Sequence, residues 1–248
     1  MKAMILAAGL GTRLRPLTND RPKALVELGG RTLLEITLSR LGEFGIREVI
    51  INVHHFAQMV LDYLKANNNF GMRVEVSREE TLLDTGGGLK KAARFFLENS
   101  AERDEPFVLH NVDVISNIDF GKMLQFHREH NALATLAVQE RETSRYLLFD
   151  ERSQLCGRRA TRDGENEIVR ASAQLQALAF SGLHVVSPRI FEKMTEDGTF
   201  SIIDSYLRLV AQGENILAFR ADEYYWRDLG RPENVKQVEQ DFKTKLIS

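Results

Sequence analysis

The chain has 248 residues, 43% of them hydrophobic, which is enough for one substantial core in one large domain or two small ones. Its formal net charge is -2, with 33 Lys and Arg against 35 Asp and Glu, so no basic excess indicates a nucleic-acid partner. Cys156 is the only cysteine, which excludes an internal disulfide and an all-thiolate metal site within one chain.

The N-terminal apolar segment, residues 1–8, is too short for a secretory signal. Arg13 and Arg15 follow it where a signal peptide has a small-residue cleavage site. No uninterrupted apolar run reaches the roughly 18–20 residues that cross a bilayer. We therefore expect a soluble, cytoplasmic protein with no membrane partner.

Strand-like and helix-like patterns alternate over the first part of the chain. Apolar residues recur at helical spacing over residues 34–44, with Gly45 as a C-terminal stop, and again over 56–64 and 90–97. The predicted strands around these helices are residues 4–6, 49–51, 73–76, 107–109 and 133–138. This order predicts an α/β protein with a three-layer, open, mixed but mostly parallel sheet.

The middle of the chain, residues 139–178, is highly polar, and only residues 146–149 in it read as a strand. We expect irregular hairpins, a lid or a small lobe here. After it come predicted strands at residues 180–186, 216–219 and 224–226, a helix over 200–210, and a terminal helix that begins at Pro232. Without a linker or repeat, residues 1–248 are predicted to form one domain.

The first motif is a glycine-rich turn that follows the first predicted strand, over residues 6–18, with Pro22 and Lys23 after it. Gly9 and Gly11 let the backbone approach a phosphate closely, and the planar guanidinium of Arg13 binds phosphate oxygens. The turn is not a P-loop because it lacks the lysine, nor a dinucleotide fingerprint because Leu14 occupies the place of the third glycine. An ordinary glycine turn with solvated arginines remains the alternative.

Two further segments place a carboxylate near the end of a predicted strand. Asn111 and Asp113 follow the apolar run at residues 107–109, and Asp228 precedes the terminal helix. Ligands of open α/β sheets bind beyond the carboxyl ends of the strands, where a carboxylate can hold a metal ion. The alternatives are a turn or cap residue at Asp113, and a helix-capping segment around Pro232 and Glu233.

Three consecutive glycines, Gly86 to Gly88, open a predicted helix, although glycine there costs backbone entropy. They indicate that something flat or charged packs against them, whereas the alternative is a flexible turn. His54 and His55 form a metal pair by residue type only. Adjacent side chains point in different directions on a regular element, so we interpret them as a surface turn.

These motifs together resemble the sugar-nucleotide pyrophosphorylases, a nucleotidyltransferase family with the signature L-A-G/A-G-x-G-T-R-L-x-P-L-T followed by P-K. Segments similar to Asn111-Val112-Asp113, to Trp226 through Glu233 and to Phe180 through Val185 recur in the family, although Val112 stands where a glycine is usual. The resemblance extends over nearly the whole chain. It implies a Rossmann-like (glycosyltransferase-A-like) nucleotidyltransferase fold.

The resemblance also implies a set of site residues. Arg13, Lys23, Asp113 and Asp228 would be catalytic, Asp113 and Asp228 would bind Mg²⁺, and Gly182 would lie beside the sugar. Nucleotide contacts would come from Leu6, Ala8, Gly9, Gly11, Thr12, Arg13, Lys23, Gly86, Gly87, Gly88 and Asn111.

The implied reaction condenses an NTP with a sugar 1-phosphate and releases pyrophosphate. The chain is most similar to compact bacterial members that pair UTP with N-acetylmuramate 1-phosphate, or GTP with mannose or heptose 1-phosphate. Two alternatives belong to other classes: a non-catalytic nucleotide-sugar sensor or subunit, and an NAD-dependent oxidoreductase. The latter lacks the acidic residue expected about 20 residues beyond the glycine turn. A homo-oligomer is compatible with the sequence.

Overall fold

The computed structural model describes residues 1–98, 104–160 and 165–243. Eight α-helices are described within these ranges: α1 (Leu33–Glu43), α2 (Ala57–Ala66), α3 (Asp84–Lys91), α4 (Ala93–Leu97), α5 (Phe120–Glu129), α6 (Ile190–Lys193), α7 (Ile202–Ala211) and α8 (Pro232–Lys243). No helix of the described part of the chain has the length and apolar character to cross a membrane.

The strands form one large mixed sheet and two short ribbons. They are β1 (Lys2–Leu6), β2 (Glu27–Leu28), β3 (Arg31–Thr32), β4 (Glu48–Val53), β5 (Arg73–Arg78), β6 (Phe107–Asn111), β7 (Val114–Ser116), β8 (Ala134–Gln139), β9 (Arg145–Phe149), β10 (Leu155–Ala160), β11 (Asn166–Ile168), β12 (Gln176–Val186), β13 (Ile216–Arg220) and β14 (Trp226–Asp228). The predicted mixed sheet is confirmed.

The parallel half of the sheet is built on β1, which pairs with β4 on one side and with β6 on the other, while β5 extends β4. β1 is buried on both faces: Ala3 and Ile5 belong to one hydrophobic core and Met4 to the other. Period-two alternation and a continuous apolar run therefore place β1 in the middle of three layers.

The long strand β12 joins the second half of the sheet to the first. It runs antiparallel to β6, β8 and β9, and β8 in turn pairs in parallel with β13. β9, β10 and β11 continue the sheet as antiparallel hairpins. The polar middle of the chain, predicted as hairpins or a lid, thus extends the main sheet.

Helices cover both faces of the sheet, as a three-layer fold requires. One core includes Leu38 of α1, Val60 of α2 and Met123 of α5. The other includes Leu89 of α3 and Tyr206 of α7. The parallel strands therefore all end at one edge between the helical layers, which is where the site residues lie.

Candidate active site

The glycine turn begins where β1 ends and is fixed by hydrogen bonds at both ends. The amide of Ala7 donates to Oδ1 of Asn52 at 2.7 Å. Gly11 has a φ of 63°, in the left-handed region that favours glycine, and its carbonyl accepts from the Thr18 hydroxyl at 2.8 Å. A Cβ on Gly11 would lie only 3.0 Å from a Thr18 methyl group, so the tight turn requires glycine here.

Asp113 and Asp228 are brought together by a short ribbon. β7 and β14 pair antiparallel, with Asp228 opposite Val114, and the Leu229 amide donates to the Asp113 carbonyl at 2.8 Å. The side chain of Asn234 in α8 holds the carbonyl of Asp228 at 2.7 Å. The backbones of two aspartates that are remote in sequence therefore lie side by side, while a metal ion shared by their carboxylates stays a prediction.

Lys23 completes this cluster by forming an ion pair with Asp113. The exposed fractions of the two side chains are 12% and 14%, so water screens the pair only weakly. Burial lowers the pKa of Lys23 to about 8, against the opposing effect of Asp228, and Arg13 lowers it further. The four predicted charged groups thus act on one another.

Arg13 approaches the cluster from the glycine turn. A Cβ on Gly230 would lie 2.5 Å from Oδ1 of Asp228 and 3.0 Å from an Nη atom of Arg13, so both side chains converge on this glycine. The Gly230 amide donates to the same Asp228 oxygen. Because Gly230 has no side chain, the guanidinium of Arg13 can lie beside the carboxylate of Asp228.

The donor set fits Mg²⁺. The described residues contain no group of three or more His, Cys, Asp and Glu side chains that could hold a metal ion, and the cluster itself contains the carboxylates of Asp113 and Asp228. Mg²⁺ commonly binds through one or two carboxylates plus water and substrate phosphates. Asp113 and Asp228 would supply those carboxylates.

A cavity of about 200 Å³ opens beside this cluster. Its lining comes from the ends of β1, β4 and β6 and from the start of α3: Leu6, Ala7, Ala8, Gly9, Lys23, Asn52, Leu82, Asp84, Thr85, Asn111, Val112 and Asp113. Six of these residues were predicted as site residues from the sequence. The cavity and the charged cluster therefore adjoin each other, and nucleotide binding in this cavity stays a prediction.

The three glycines of α3 are covered by the protein itself. A Cβ on Gly86 would lie 2.4 Å from the ring of Phe200, and one on Gly87 would lie 2.3 Å from the carbonyl oxygen of Gly198. The amides of both glycines donate to the Phe200 carbonyl. The flat partner expected from the sequence is thus an aromatic ring of this chain, while a nucleotide contact to Gly86, Gly87 or Gly88 stays a prediction.

Two buried polar residues that the sequence analysis did not single out support the cavity wall. Nδ2 of Asn52 donates to Oε1 of Glu79 at 2.8 Å, and Oε2 of Glu79 accepts from the Leu83 amide at 2.9 Å. A Cβ on Gly88 would lie 2.8 Å from both side chains. The available signal was the one used for Asp113, because Asn52 and Glu79 also lie at strand ends.

The paired strands β6 and β12 bring three further residues together: Asn111 at the end of β6, Val112 directly after it, and Gly182 in β12. Val112 is buried, and its amide donates to the Leu6 carbonyl at 3.1 Å. Gly182 has a φ of 73°, and a Cβ there would lie 2.9 Å from Nδ2 of Asn111. Gly182 thus sits against a predicted nucleotide contact, and its predicted sugar contact remains a prediction.

His54 and His55 lie apart from the cluster, in the turn between β4 and α2. His55 is exposed, and Nδ1 of His54 is 2.8 Å from the Glu79 carbonyl oxygen. The interpretation as a surface turn is confirmed.

Comparison with known proteins shows the family to which the chain belongs. A family model described as nucleotidyl transferase matches residues 2–245. The N-acetylmuramate alpha-1-phosphate uridylyltransferase of Caulobacter vibrioides is 34% identical over 93% of this chain and 92% of its own length. A probable mannose-1-phosphate guanylyltransferase of Oryza sativa subsp. japonica is 30% identical over 94% of this chain, which spans 62% of that protein.

Solved structures share the fold. HddC from Yersinia pseudotuberculosis, in a complex with GMP-PN, has a TM-score of 0.75 at 23% identity, covering 97% of this chain and 99% of that one. A putative glucose-1-phosphate thymidylyltransferase from Bacillus anthracis has a TM-score of 0.79 at 17% identity, covering 97% and 94%.

Proposed function

The chain belongs to the nucleotidyl transferase family and is a sugar-1-phosphate nucleotidyltransferase, and we propose that its substrates are UTP and N-acetylmuramate 1-phosphate. The observation that carries the chemistry is the convergence of Lys23, Asp113, Asp228 and Arg13 beside the cavity. The choice of substrates follows the uridylyltransferase of Caulobacter vibrioides, whose matched region covers 92% of its own length.

The proposed reaction is an in-line displacement at the α-phosphorus of UTP. A phosphate oxygen of the sugar 1-phosphate forms the new P–O bond, while the bond to the β-phosphate breaks and pyrophosphate leaves. The attacking oxygen is already anionic, so the site needs no strong general base. The barrier comes from repulsion between two anions, and positioning together with charge stabilisation lowers it.

Each charged residue has one task in this mechanism. Arg13 presents its guanidinium to the oxygens of the leaving pyrophosphate, and Lys23 neutralises the α-phosphate. Asp113 and Asp228 would hold Mg²⁺, which supplies Lewis-acid stabilisation of the reacting phosphates when bound. Leu6, Ala8, Gly9, Gly11 and Thr12 would contact the nucleotide from the glycine turn, and Asp84 and Thr85 face it across the cavity.

Guanylyl transfer to mannose or heptose 1-phosphate is the second candidate. It is favoured by the similarity to the guanylyltransferase of Oryza sativa subsp. japonica. The non-catalytic sensor is disfavoured because all four charged groups are present and converge.

A substrate matrix tests the proposal. UTP, GTP, dTTP and ATP are each combined with N-acetylmuramate, N-acetylglucosamine and mannose 1-phosphates, with and without Mg²⁺, and pyrophosphate release is measured. We expect the highest kcat/KM for UTP with N-acetylmuramate 1-phosphate, dependent on Mg²⁺ and lost in Asp228→Asn. A higher kcat/KM for GTP with mannose 1-phosphate would replace the first candidate with the second, and undiminished turnover in Asp228→Asn would remove the metal role.

A further inference from the structure

A second cavity, of about 440 Å³, lies on the antiparallel extension of the sheet. It is lined by Glu140, Arg141, Glu142, Tyr146, Arg159 and Ala177. Tyr146 on β9 pairs directly with Arg159 on β10, so both side chains stand on one face of the sheet. Their neighbours Leu147 and Arg158 point to the opposite face, where Leu147 joins the core beneath α7.

Arg141 connects this cavity to the catalytic cluster. Its guanidinium carbon lies 3.7 Å from the ring centroid of Trp226, and its Nη2 donates to the Phe180 carbonyl at 2.7 Å. Trp226 is two residues before Asp228 on β14, so the two side chains share a strand face. Burial lowers the pKa of Arg141, and the charge of Asp228 acts in the opposite direction, which places the two groups within electrostatic reach.

The arginines of this cavity are short of acidic partners. Within the described ranges, no carboxylate forms an ion pair with Arg141 or Arg159, and Nε of Arg141 is buried without a hydrogen-bond acceptor. Arg158 provides the contrast, because it pairs with both Glu167 and Asp204. Among the described residues, Nε of Arg159 donates to the amide oxygen of Asn166.

The remaining polar groups of the cavity leave room for an anion. Glu140 is paired with Arg220, and Glu142 is exposed at the rim. The Tyr146 hydroxyl accepts from the Thr143 amide at 3.3 Å, so its own proton is available for donation. The cavity thus offers two guanidinium groups and a hydroxyl, and Arg141 connects it to the strand that carries Asp228.

We propose that Arg141, Arg159 and Tyr146 form a carboxylate-binding subsite that selects an acidic sugar 1-phosphate by a group remote from the reacting phosphate. This inference rests on the proposed function, since N-acetylmuramate carries a lactyl carboxylate that N-acetylglucosamine lacks. Guanidinium groups bind carboxylates through charge-assisted hydrogen bonds, and a buried donor left unpaired by a neutral sugar disfavours that sugar. The subsite therefore both attracts the acid and rejects its neutral analogue.

The test compares two sugar substrates in the same variant, so that any general damage to the catalytic cluster lowers both kcat/KM values and cancels in their ratio. The kcat/KM for N-acetylmuramate 1-phosphate is divided by that for N-acetylglucosamine 1-phosphate, with UTP, in the wild-type protein and in Arg141→Gln and Arg159→Gln. We expect a wild-type ratio well above one. The ratio should fall on the order of tenfold or more in Arg141→Gln, whose Nε is buried, and by less in Arg159→Gln, whose side chain is exposed, chiefly through the KM of the acidic sugar. Glu142→Gln should raise the ratio because it removes a negative charge at the rim.

Arg145→Gln is the matched control. Arg145 precedes Tyr146 on β9, so its side chain points to the other face of the strand, yet the substitution removes the same charge. Its ratio should equal that of the wild type.

The two hypotheses fail in different ways. A wild-type preference for the acidic sugar that survives in both arginine variants would overturn the subsite and leave the proposed substrate standing. A wild-type protein with no preference for the acidic sugar would overturn the substrate and the subsite together.

Discussion

At the scale of single residues, the site is organised by charge balance around two carboxylates. Asp113 pairs with Lys23, and Asp228 lies beside Arg13 at Gly230. Each acid thus has a neighbouring cation from the N-terminal motif. In the proposed mechanism the same cations would bind the phosphate groups of the nucleotide, because phosphate oxygens and carboxylates are recognised by the same donors.

Replacing Arg13 tests its role at the leaving group. Arg13→Ala should lower kcat on the order of 10²-fold or more, because in the proposed mechanism the guanidinium stabilises charge that develops on the pyrophosphate. The side chain is exposed, so the melting temperature should stay close to that of the wild type. Arg15→Ala, two residues further along the same exposed turn, is the control and should retain kcat. Equal kcat values in the two variants would remove Arg13 from the mechanism.

The lowered pKa of Lys23 predicts that kcat/KM depends on pH. Because burial lowers its pKa to about 8, the ammonium is charged below that pH and becomes neutral as the pH rises through it. The kcat/KM for the NTP, which reports the free enzyme, should therefore fall above about pH 8. Lys23→Arg keeps its charge at these pH values and should shift the decline to higher pH. A decline that is unchanged in Lys23→Arg would assign it to another group.

At the scale of elements, α3 shows how close packing places the cavity wall. Gly86 and Gly87 let α3 pack against Phe200 and Gly198 near the start of α7. Their amides share the Phe200 carbonyl, and the Thr85 hydroxyl accepts from the Ile202 amide at 3.0 Å. The entropy that glycine costs in a helix is thus offset by a contact that any side chain would block. This contact also fixes the start of α3, where Asp84 and Thr85 line the cavity beside the catalytic cluster.

The glycine run therefore predicts a reversal of the usual effect of alanine. In an ordinary helix Gly→Ala stabilises by roughly 0.5–1 kcal/mol. Gly87→Ala should instead destabilise the protein by about 1–3 kcal/mol, because the new methyl group would overlap the Gly198 carbonyl. Gly121→Ala in α5 is the matched control, since its Cβ would meet only the Asp119 side chain at 3.1 Å. Urea denaturation that shows Gly87→Ala to be as stable as the wild type would contradict this packing.

Local patterns predicted the elements that carry their own periodicity. The strands β1, β4 and β6 and the helices α1, α2, α7 and α8 were all expected from apolar spacing, and all are confirmed. α5 was not predicted, although Phe120, Met123 and His127 repeat at helical spacing along it and are buried. Its apolar stripe is short and includes a histidine, so the sequence alone resembled a polar connection.

The parts that sequence could not supply depend on contacts between distant segments. β7 has three residues and exists through its pairing with β14, whose own end carries Asp228. The antiparallel course of β12 between β6 and β9 likewise has no local signature. The hydrogen bond between Asn52 and Glu79 spans 27 residues and that from Arg141 to Phe180 spans 39, so local spacing did not show that these side chains have partners.

At the scale of the whole molecule, the two hydrophobic cores bury ionisable groups as well as apolar side chains. His110 on β6, His127 on α5 and His184 on β12 are each at most 2% exposed. Burial lowers the pKa of His110 and His127 to about 4 and that of His184 to about 3. All three rings are therefore neutral in the folded protein well below the pH at which free histidine takes up a proton.

Stability should consequently fall between pH 6.5 and pH 4.5. In this window the unfolded chain binds up to three more protons than the folded chain, so acidification favours unfolding, whereas carboxylates take up most of their protons at lower pH. Each histidine should cost about 2 kcal/mol between pH 7 and pH 5. Urea denaturation across this range measures the slope, and His184→Gln should reduce it by about one third relative to the wild type. His55→Gln replaces an exposed ring and should leave the slope unchanged. A free energy of unfolding that is constant from pH 7 to pH 5, or an equal reduction in both variants, would contradict the assignment to buried histidines.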